Sequence, residues 1–98
     1  MKPKNIAYLK SLANTLTPAV NIGKGEVDDN IIKAISDNLE AHELIKIKVL
    51  NNAEVDKKEI GGYLASKLEA THVATIGHIV ILYRQKKKDP KIVLPIKE

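Results

Sequence analysis

The sequence predicts a small layered α/β domain with the element order α-β-α-β-α-β-β and a mixed four-stranded sheet. Segments with apolar residues at helical spacing alternate with short strand-like segments, which is typical of strands separated by helices. The last two strand-like segments are joined directly by a two-residue turn, so they predict an antiparallel hairpin. With 98 residues, the chain has room for one compact domain. We therefore expect residues 1–98 to form a single domain with a basic tail at 85–98.

The first part of the chain predicts a helix followed by a strand. Residues 5–16 place apolar side chains at spacings of three and four, the period of a helix with one buried face. Pro18 ends this helix, because the residue before a proline is disfavoured in the helical conformation. Residues 19–22 then form a short apolar strand, which leads into a glycine-containing turn.

The middle of the chain predicts a second helix and a strand with one exposed face. Asp28 or Asp29 can cap the helix, whose apolar stripe consists of Ile31, Ile32, Ile35 and Leu39. In residues 44–50, apolar side chains alternate with Lys46 and Lys48. A period of two is typical of a strand that turns one face toward solvent.

The last part of the chain predicts a third helix and a hairpin. The helix is expected over about 54–69, although a pair of glycines weakens it by about 1 kcal/mol each relative to alanine. Strands at 72–76 and 79–84 flank Gly77-His78, a sequence suited to a tight turn. Because the second of these strands is apolar on both faces, we expect it to be covered on both sides. Residues 92–95 are expected to add an edge segment that the proline ends.

Charge is distributed unevenly along the chain. Residues 1–25 carry a net charge of +4, residues 26–83 carry −4, and residues 84–98 carry +4. If the two ends meet in the fold, they form one basic face, which is the usual electrostatic footprint of a nucleic-acid partner. The alternative is a pair of solvated lysine-rich termini.

Composition excludes several classes of function. The chain has no cysteine, so it can form neither disulfides nor zinc knuckles and has no thiol nucleophile. No apolar run reaches the roughly 20 residues of a membrane span, and the start lacks the apolar region of a signal peptide. We therefore expect a cytoplasmic protein with no membrane partner.

The sequence offers little evidence of a catalytic or cofactor-binding motif. His42, His72 and His78 are not spaced like a metal site, and Gly23-Lys24-Gly25 lacks the Walker pattern. We expect no cofactor, no metal site, no catalytic residue and no small-molecule substrate, and hence a protein that is not an enzyme.

The turn Gly23-Lys24-Gly25 is the first candidate binding element. A glycine turn before a helix can direct backbone N–H groups toward an anion, and the helix dipole favours negative charge there. Lys24 adds a positive charge. Asp28 and Asp29 act against this use, because a capping carboxylate satisfies the same donors. The alternative is a tight turn that binds nothing.

Basic side chains on the predicted strands are the second candidate element. Lys46 and Lys48 lie two residues apart on one strand and therefore share a face. Arg84 ends another strand and can grip a phosphate with two hydrogen bonds. Lys10 adds positive charge, and Lys86, Lys87 and Lys88 would lend nonspecific attraction. The alternative is that these lysines only solvate an open sheet face.

Aromatic residues are too few to form a base-stacking platform. The only three are Tyr8, Tyr63 and Tyr83, whereas single-strand binders stack bases on clustered aromatic rings. Recognition is therefore expected to use phosphates, 2′-hydroxyls and RNA shape, with a steep salt dependence.

Three segments resemble a known family. They are Gly23-Lys24-Gly25-Glu26 between a strand and a helix, His42–Lys48 (HELIKIK), and Ile76–Arg84 (IGHIVILYR). Together they are similar to the YhbY-like family, also called the CRM domain (chloroplast RNA splicing and ribosome maturation). The resemblance extends from about Leu9 to Leu94.

The resemblance implies a fold like the C-terminal domain of bacterial translation initiation factor three, and it implies RNA binding. For stand-alone bacterial members it implies association with ribosomal RNA in precursors of the large subunit. The family loop is usually G-x-x-G, as in KH domains, where it clamps nucleotide backbone. Here Glu26 stands at the second glycine, where a carboxylate repels phosphate, and Gly25 can take the permissive conformation one residue earlier.

Two other functions remain open from the residues. The protein could be an interaction module that docks on a ribosomal protein or assembly factor through its acidic middle helices. A small phosphate-ester enzyme would require His42 or Glu43 to act in catalysis.

Overall fold

The computed structural model describes residues 1–25 and 27–98. In chain order the elements are α1 (Pro3–Ala13), β1 (Pro18–Ile22), α2 (Asp29–His42), β2 (Leu44–Val49), α3 (Ile60–Leu68), β3 (Thr71–Ile76) and β4 (Ile79–Tyr83). The predicted order of elements is confirmed.

The four strands form one mixed sheet in the order β1-β2-β4-β3. β1 and β2 are parallel, whereas β4 is antiparallel to both β2 and β3. The hairpin therefore folds back so that its second strand lies in the interior of the sheet. β4 is buried along most of its length on both faces, as the apolar run in the sequence predicted.

The sheet separates two hydrophobic clusters. Helices α2 and α3 cover one face, where their apolar residues pack on side chains such as Ile47, Val80 and Leu82. Helix α1 covers part of the other face through Leu9 and Ala13. We call these the two-helix face and the α1 face.

Helix α2 begins with the capping residue that the sequence offered. Oδ1 of Asp28 accepts a hydrogen bond from the backbone N–H of Ile31 at 2.9 Å, which satisfies one of the free donors of the first turn. The helix ends at Glu43, whose φ of 66° turns the chain directly into β2.

Helix α3 is shorter than predicted, and the expectation of a helix from residue 54 is wrong. It begins at Ile60 because the preceding residues form a turn around Asp56. Oδ1 of Asp56 accepts the backbone N–H of Lys58 at 2.8 Å, a local bond that competes with helix formation. The apolar periodicity alone does not register such a turn.

The expectation of an edge strand at residues 92–95 is also wrong. The backbone N–H of Ile92 donates to the carboxylate of Glu43 at 2.9 Å and not to a neighbouring strand. Ile92 and Leu94 pack against the cluster on the α1 face, while Val93 is 80% exposed. The segment is thus held by side-chain contacts.

The two ends of the chain meet beside α1. The buried side-chain amide of Asn5 donates to the carbonyl of Ile96 at 2.7 Å and accepts its backbone N–H at 3.0 Å. Glu98 lies in the same place, and hydrogen bonds from the Lys2 backbone and the Asn5 amide lower the pKa of its carboxyl. Among the described helices, none is long and apolar enough to cross a membrane.

Candidate nucleic-acid interface

The predicted binding residues that follow strands lie in two groups at opposite ends of the sheet. We call the end where β1 and β2 finish the loop end, and the end where β4 finishes the tail end. Gly23–Gly25 follow β1 at the loop end, whereas Arg84 and Lys86–Lys88 follow β4 at the tail end. The six residues of β2 span about 17 Å between the two ends. One small site therefore cannot contain both groups.

Lys46 and Lys48 lie on the α1 face, as their spacing predicted. In register, Lys46 is opposite Ile81 of β4, and Lys48 is opposite Ile79. Both isoleucines belong to the packing around α1. Lys46 is partly buried and Lys48 is exposed, so their aliphatic stems can lie along the sheet while the ammonium groups reach solvent.

Helix α1 places Lys10 on the same side. Asn5 and Leu12 face the C-terminal segment, through Ile96 and Ile92 respectively. Lys10 is exposed and lies about 140° around the helix axis from Asn5. It therefore points away from the C-terminal segment.

This surface has a uniform charge. Helix α1 and the four strands contain four lysines and no aspartate or glutamate; the lysines are Lys4, Lys10, Lys46 and Lys48. We call Lys10, Lys46 and Lys48 with the open sheet around them the lysine face. Because no carboxylate from these elements interrupts it, the positive potential there is not neutralised locally.

The glycine turn lies at the loop end of the sheet. Gly25 has φ 101°, a conformation that favours glycine, so it does take the permissive position. A Cβ at Gly23 would make ordinary van der Waals contact, 3.4 Å from Cδ1 of Leu50. Lys24 is exposed. Glu26, expected to replace the second family glycine, lies outside the described residues.

An acidic groove borders the glycine turn on the two-helix face. It has a volume of about 530 Å³ and is lined by Gly25 together with Glu54, Asp56, Glu59 and Tyr63. Carboxylates repel phosphate, and the capping bond of Asp28 already occupies one donor of the α2 terminus. A nucleic-acid backbone would therefore meet the turn from the Lys24 side.

Arg84 does not lie with the strand lysines. Its guanidinium reaches the two-helix face, where Nη1 donates to the carbonyl of Leu68 at 3.1 Å and Nη2 donates to the carbonyl of Ser36 at 3.0 Å. Nη2 is also 3.6 Å from Oε2 of Glu40. Arg84 thus ties the end of β4 to the middle of α2 and to the last residue of α3, and both terminal nitrogens of its guanidinium are bonded within the protein.

Glu43 fixes the segment that follows β4. Its carboxylate is 1% exposed and accepts the backbone N–H groups of Lys86, Lys91 and Ile92 at 3.0, 2.7 and 2.9 Å. Burial raises the pKa of this carboxyl, but these bonds, with the charge of Lys86, outweigh that effect and lower the pKa. Burial and the charge of Glu43 raise the pKa of Tyr83.

The loop between the anchored positions holds Lys86, Lys87 and Lys88 at the tail end. Lys87 lines a cavity with Asp37 and Glu40 of α2, so these carboxylates offset part of its positive charge.

Glu43 is one of the two residues, with His42, that the enzyme hypothesis named. Both of its carboxylate oxygens accept backbone hydrogen bonds.

Comparison with known proteins identifies the family of this chain. The family model described as the CRS1 / YhbY (CRM) domain matches residues 1–84, which include all seven helices and strands. The chain belongs to the CRM domain family. The expected resemblance is confirmed, and the matched region excludes the segment that Glu43 anchors beyond Arg84.

Relatives of this CRM domain are similar over nearly the whole chain. "Probable RNA-binding protein YqeI" of Bacillus subtilis is 44% identical over 92 residues, covering 94% of this chain and 96% of that protein. An "RNA-binding protein" of Haemophilus influenzae is 36% identical over 97 residues, covering 99% and 97%. The solution structure of the hypothetical protein SAV1595 from Staphylococcus aureus is 41% identical with a TM-score of 0.81, covering 97% of this chain and 99% of that one.

Sequence reasoning missed two basic side chains of this CRM domain. The sequence predicts a helix at Lys57, where the structure has a turn before α3, and it indicates only a turn at His78. The structure brings Lys57 Nζ to 3.4 Å from His78 Nε2 at the loop end of the sheet. No local pattern links these residues, because they are 21 positions apart. Among the described residues there is no cluster of three or more metal-ligating side chains.

Proposed function

We propose that this CRM domain binds structured RNA through the lysine face. The observation that carries the proposal is the pair Lys46 and Lys48 on the sheet face where α1, which carries Lys10, also packs, without a carboxylate from the same elements. The RNA-binding relatives named above support it. Lys24 would add a contact from the loop end, while Arg84 would serve the fold.

Binding would depend chiefly on phosphate neutralisation. Lysine acts as a movable point charge on phosphate, and the lysine face offers no cluster of aromatic rings for base stacking. Affinity would then fall steeply with salt, in proportion to the number of phosphates contacted. Structured RNA fits this surface better than splayed single strands, because shape and backbone are read without unstacking bases.

The physiological target would be ribosomal RNA precursor during assembly of the large ribosomal subunit. The protein would act there without catalysis, cofactor or small-molecule substrate, as a single cytoplasmic domain comprising residues 1–98. Engagement of Glu43 by three backbone N–H groups supports the non-catalytic reading, since the carboxylate is not available as an acid or base.

Charge reversal on the two faces tests the surface. Lys46→Glu/Lys48→Glu is expected to weaken RNA binding by at least about tenfold and to reduce the salt slope. Lys33→Glu/Lys67→Glu makes the same change in net charge with two exposed lysines of α2 and α3, outside the lysine face, and should have a much smaller effect. Equal effects of both pairs would contradict the proposal.

A selectivity measurement tests the target. Wild-type protein is titrated with ribosomal RNA precursor fragments and with an unrelated duplex RNA across a salt series. Tighter binding to a precursor fragment at every salt concentration supports the ribosomal assignment. Equal binding to all RNAs would leave RNA binding in place and overturn the assignment to the large subunit.

The acidic groove favours a second candidate function, docking on a ribosomal protein or assembly factor. Glu54, Asp56 and Glu59 surround Tyr63, which is 50% exposed, and such a surface suits a basic protein segment. This candidate predicts association with pre-ribosomal particles that survives nuclease treatment. Loss of association after nuclease treatment would exclude it.

A further inference from the structure

Two basic side chains outside the lysine face converge at the loop end of the sheet. Nζ of Lys57 lies 3.4 Å from Nε2 of His78. Among the residues that the structure describes, no carboxylate is within salt-bridge distance of either nitrogen. An ammonium and an imidazole this close form a hydrogen bond only when Nε2 carries no proton. An anion placed between the two nitrogens can accept a hydrogen bond from each of them.

Both side chains project from firmly held backbone. His78 follows Gly77, whose φ of 57° suits the first position of a two-residue hairpin turn. The carbonyl of His78 accepts the backbone N–H of Val49 at 2.7 Å. Lys57 follows Asp56, whose carbonyl accepts the N–H groups of Glu59 and Ile60 at 3.1 and 2.9 Å. The distance between the backbone positions of Lys57 and His78 is therefore set by the fold.

The pair lies next to the lysine face. The hydrogen bond from Val49 to His78 joins the hairpin turn to the end of β2, one residue beyond Lys48. Lys24 projects from the turn after β1 at the same end of the sheet. A backbone that crosses the lysine face toward the loop end would thus next meet Lys57 and His78.

We propose that Lys57 and His78 form a phosphate subsite that extends the RNA surface around the loop end of the sheet. This inference rests on the proposed RNA-binding function. Non-bridging oxygens of one phosphodiester would accept from the Lys57 ammonium and from the imidazole N–H of His78.

Matched alanine variants test the subsite with a hairpin RNA as the probe. Lys57→Ala and His78→Ala should each weaken binding by roughly three- to tenfold at low salt, and Lys57→Ala should reduce the salt slope by about one. Lys58→Ala removes the same charge one residue along, from an exposed side chain that does not contact His78, and should change affinity by less than about twofold. Because both groups would hold one phosphate, the double variant should lose less than the product of the two single losses.

The imidazole resonances of His78 give a second measurement that needs no substitution. They should shift when hairpin RNA is added to wild-type protein. The inference is overturned if Lys57→Ala and Lys58→Ala behave alike, or if the His78 resonances do not move while RNA binds. If wild-type protein binds no RNA and Lys46→Glu/Lys48→Glu changes nothing, the proposed function itself fails, which separates the two outcomes.

Discussion

The carboxylate of Glu43 binds the backbone N–H of Lys91, with Oε1 2.7 Å from that nitrogen. The two residues are 48 positions apart, and the same carboxylate also holds Lys86 and Ile92. One buried side chain thereby attaches the C-terminal segment to the start of β2. The basic segment after β4 is consequently attached to the rest of the fold, and the contacts of Asn5 with Ile96 hold it further along.

Replacement of Glu43 should make stability less dependent on pH. Its carboxyl has a pKa below the usual 4.5 in the folded state, so it stabilises the fold above the unfolded pKa, and this contribution is lost as pH falls through the folded pKa. Glu43→Gln leaves one acceptor oxygen and turns an NH₂ toward backbone donors, which should cost roughly 1–3 kcal/mol at pH 7.

Urea denaturation between pH 7 and pH 3 measures this effect. The stability difference between wild type and Glu43→Gln should shrink as the solution becomes acidic. Glu54→Gln is the control, since Glu54 is exposed, and it should change stability little at any pH. A constant difference across the pH range would show that the charge of Glu43 does not contribute.

Arg84 is expected to contribute to stability more than to RNA binding. Its guanidinium donates to the carbonyls of Ser36 in α2 and of Leu68 at the end of α3, and hydrogen bonds that involve a charged group contribute about 1.5–3 kcal/mol. Arg84→Lys keeps the charge but loses the planar fork, so it should lower the melting temperature nearly as much as Arg84→Ala. RNA affinity, measured below the melting transition, should change by less than about threefold. A selective loss of affinity with unchanged melting would instead place Arg84 in the interface.

Two neighbouring glycines of α3 should respond oppositely to alanine. A Cβ on Gly61 would lie within 3 Å of the imidazole of His72, whose Nε2 is 2.7 Å from Oγ1 of Thr75, whereas a Cβ on Gly62 would meet nothing within 4 Å. Gly61→Ala should destabilise the protein by about 1–3 kcal/mol through overpacking. Gly62→Ala should stabilise it by up to about 1 kcal/mol through helix propensity.

Chemical denaturation of the two variants measures the difference in unfolding free energy directly. Adding His72→Ala to Gly61→Ala should restore part of the loss, because it removes the ring that the new methyl group meets. If the stability losses of the two single variants simply add in the double variant, steric contact with His72 is not the cause of the loss in Gly61→Ala.

The lysine loop at the tail end should matter less for RNA binding than the lysine face. Lys87 and Lys88 follow β4 at the tail end of the sheet, and Asp37 and Glu40 line a cavity with Lys87 and offset part of its positive charge. Lys87→Glu/Lys88→Glu should therefore weaken binding less than Lys46→Glu/Lys48→Glu. The difference in RNA affinity between the two variants should widen as salt is raised, and a parallel titration of both variants can measure it. A larger effect of the tail-end pair would move the interface to that end.

The sequence alone determined the order of the elements and their buried sides, because apolar periodicity and turn residues act over a few neighbouring positions. It also offered Asp28 or Asp29 as the cap of α2, and it identified the conformational role of Gly25 and the shared face of Lys46 and Lys48. The boundaries of α3 were missed, because the side chain of Asp56 favours a turn where apolar spacing favours a helix.

Only the tertiary structure decided which basic residues lie together. Insertion of β4 between β2 and β3 carries Arg84 to the tail end, and the alternation of side chains along the strand turns it toward the two-helix face. The contacts of Glu43 with Lys86 and of Lys57 with His78 join segments 43 and 21 positions apart. Such contacts depend on strand order and register, which are set by the packing of the whole domain and leave no signal in local spacing.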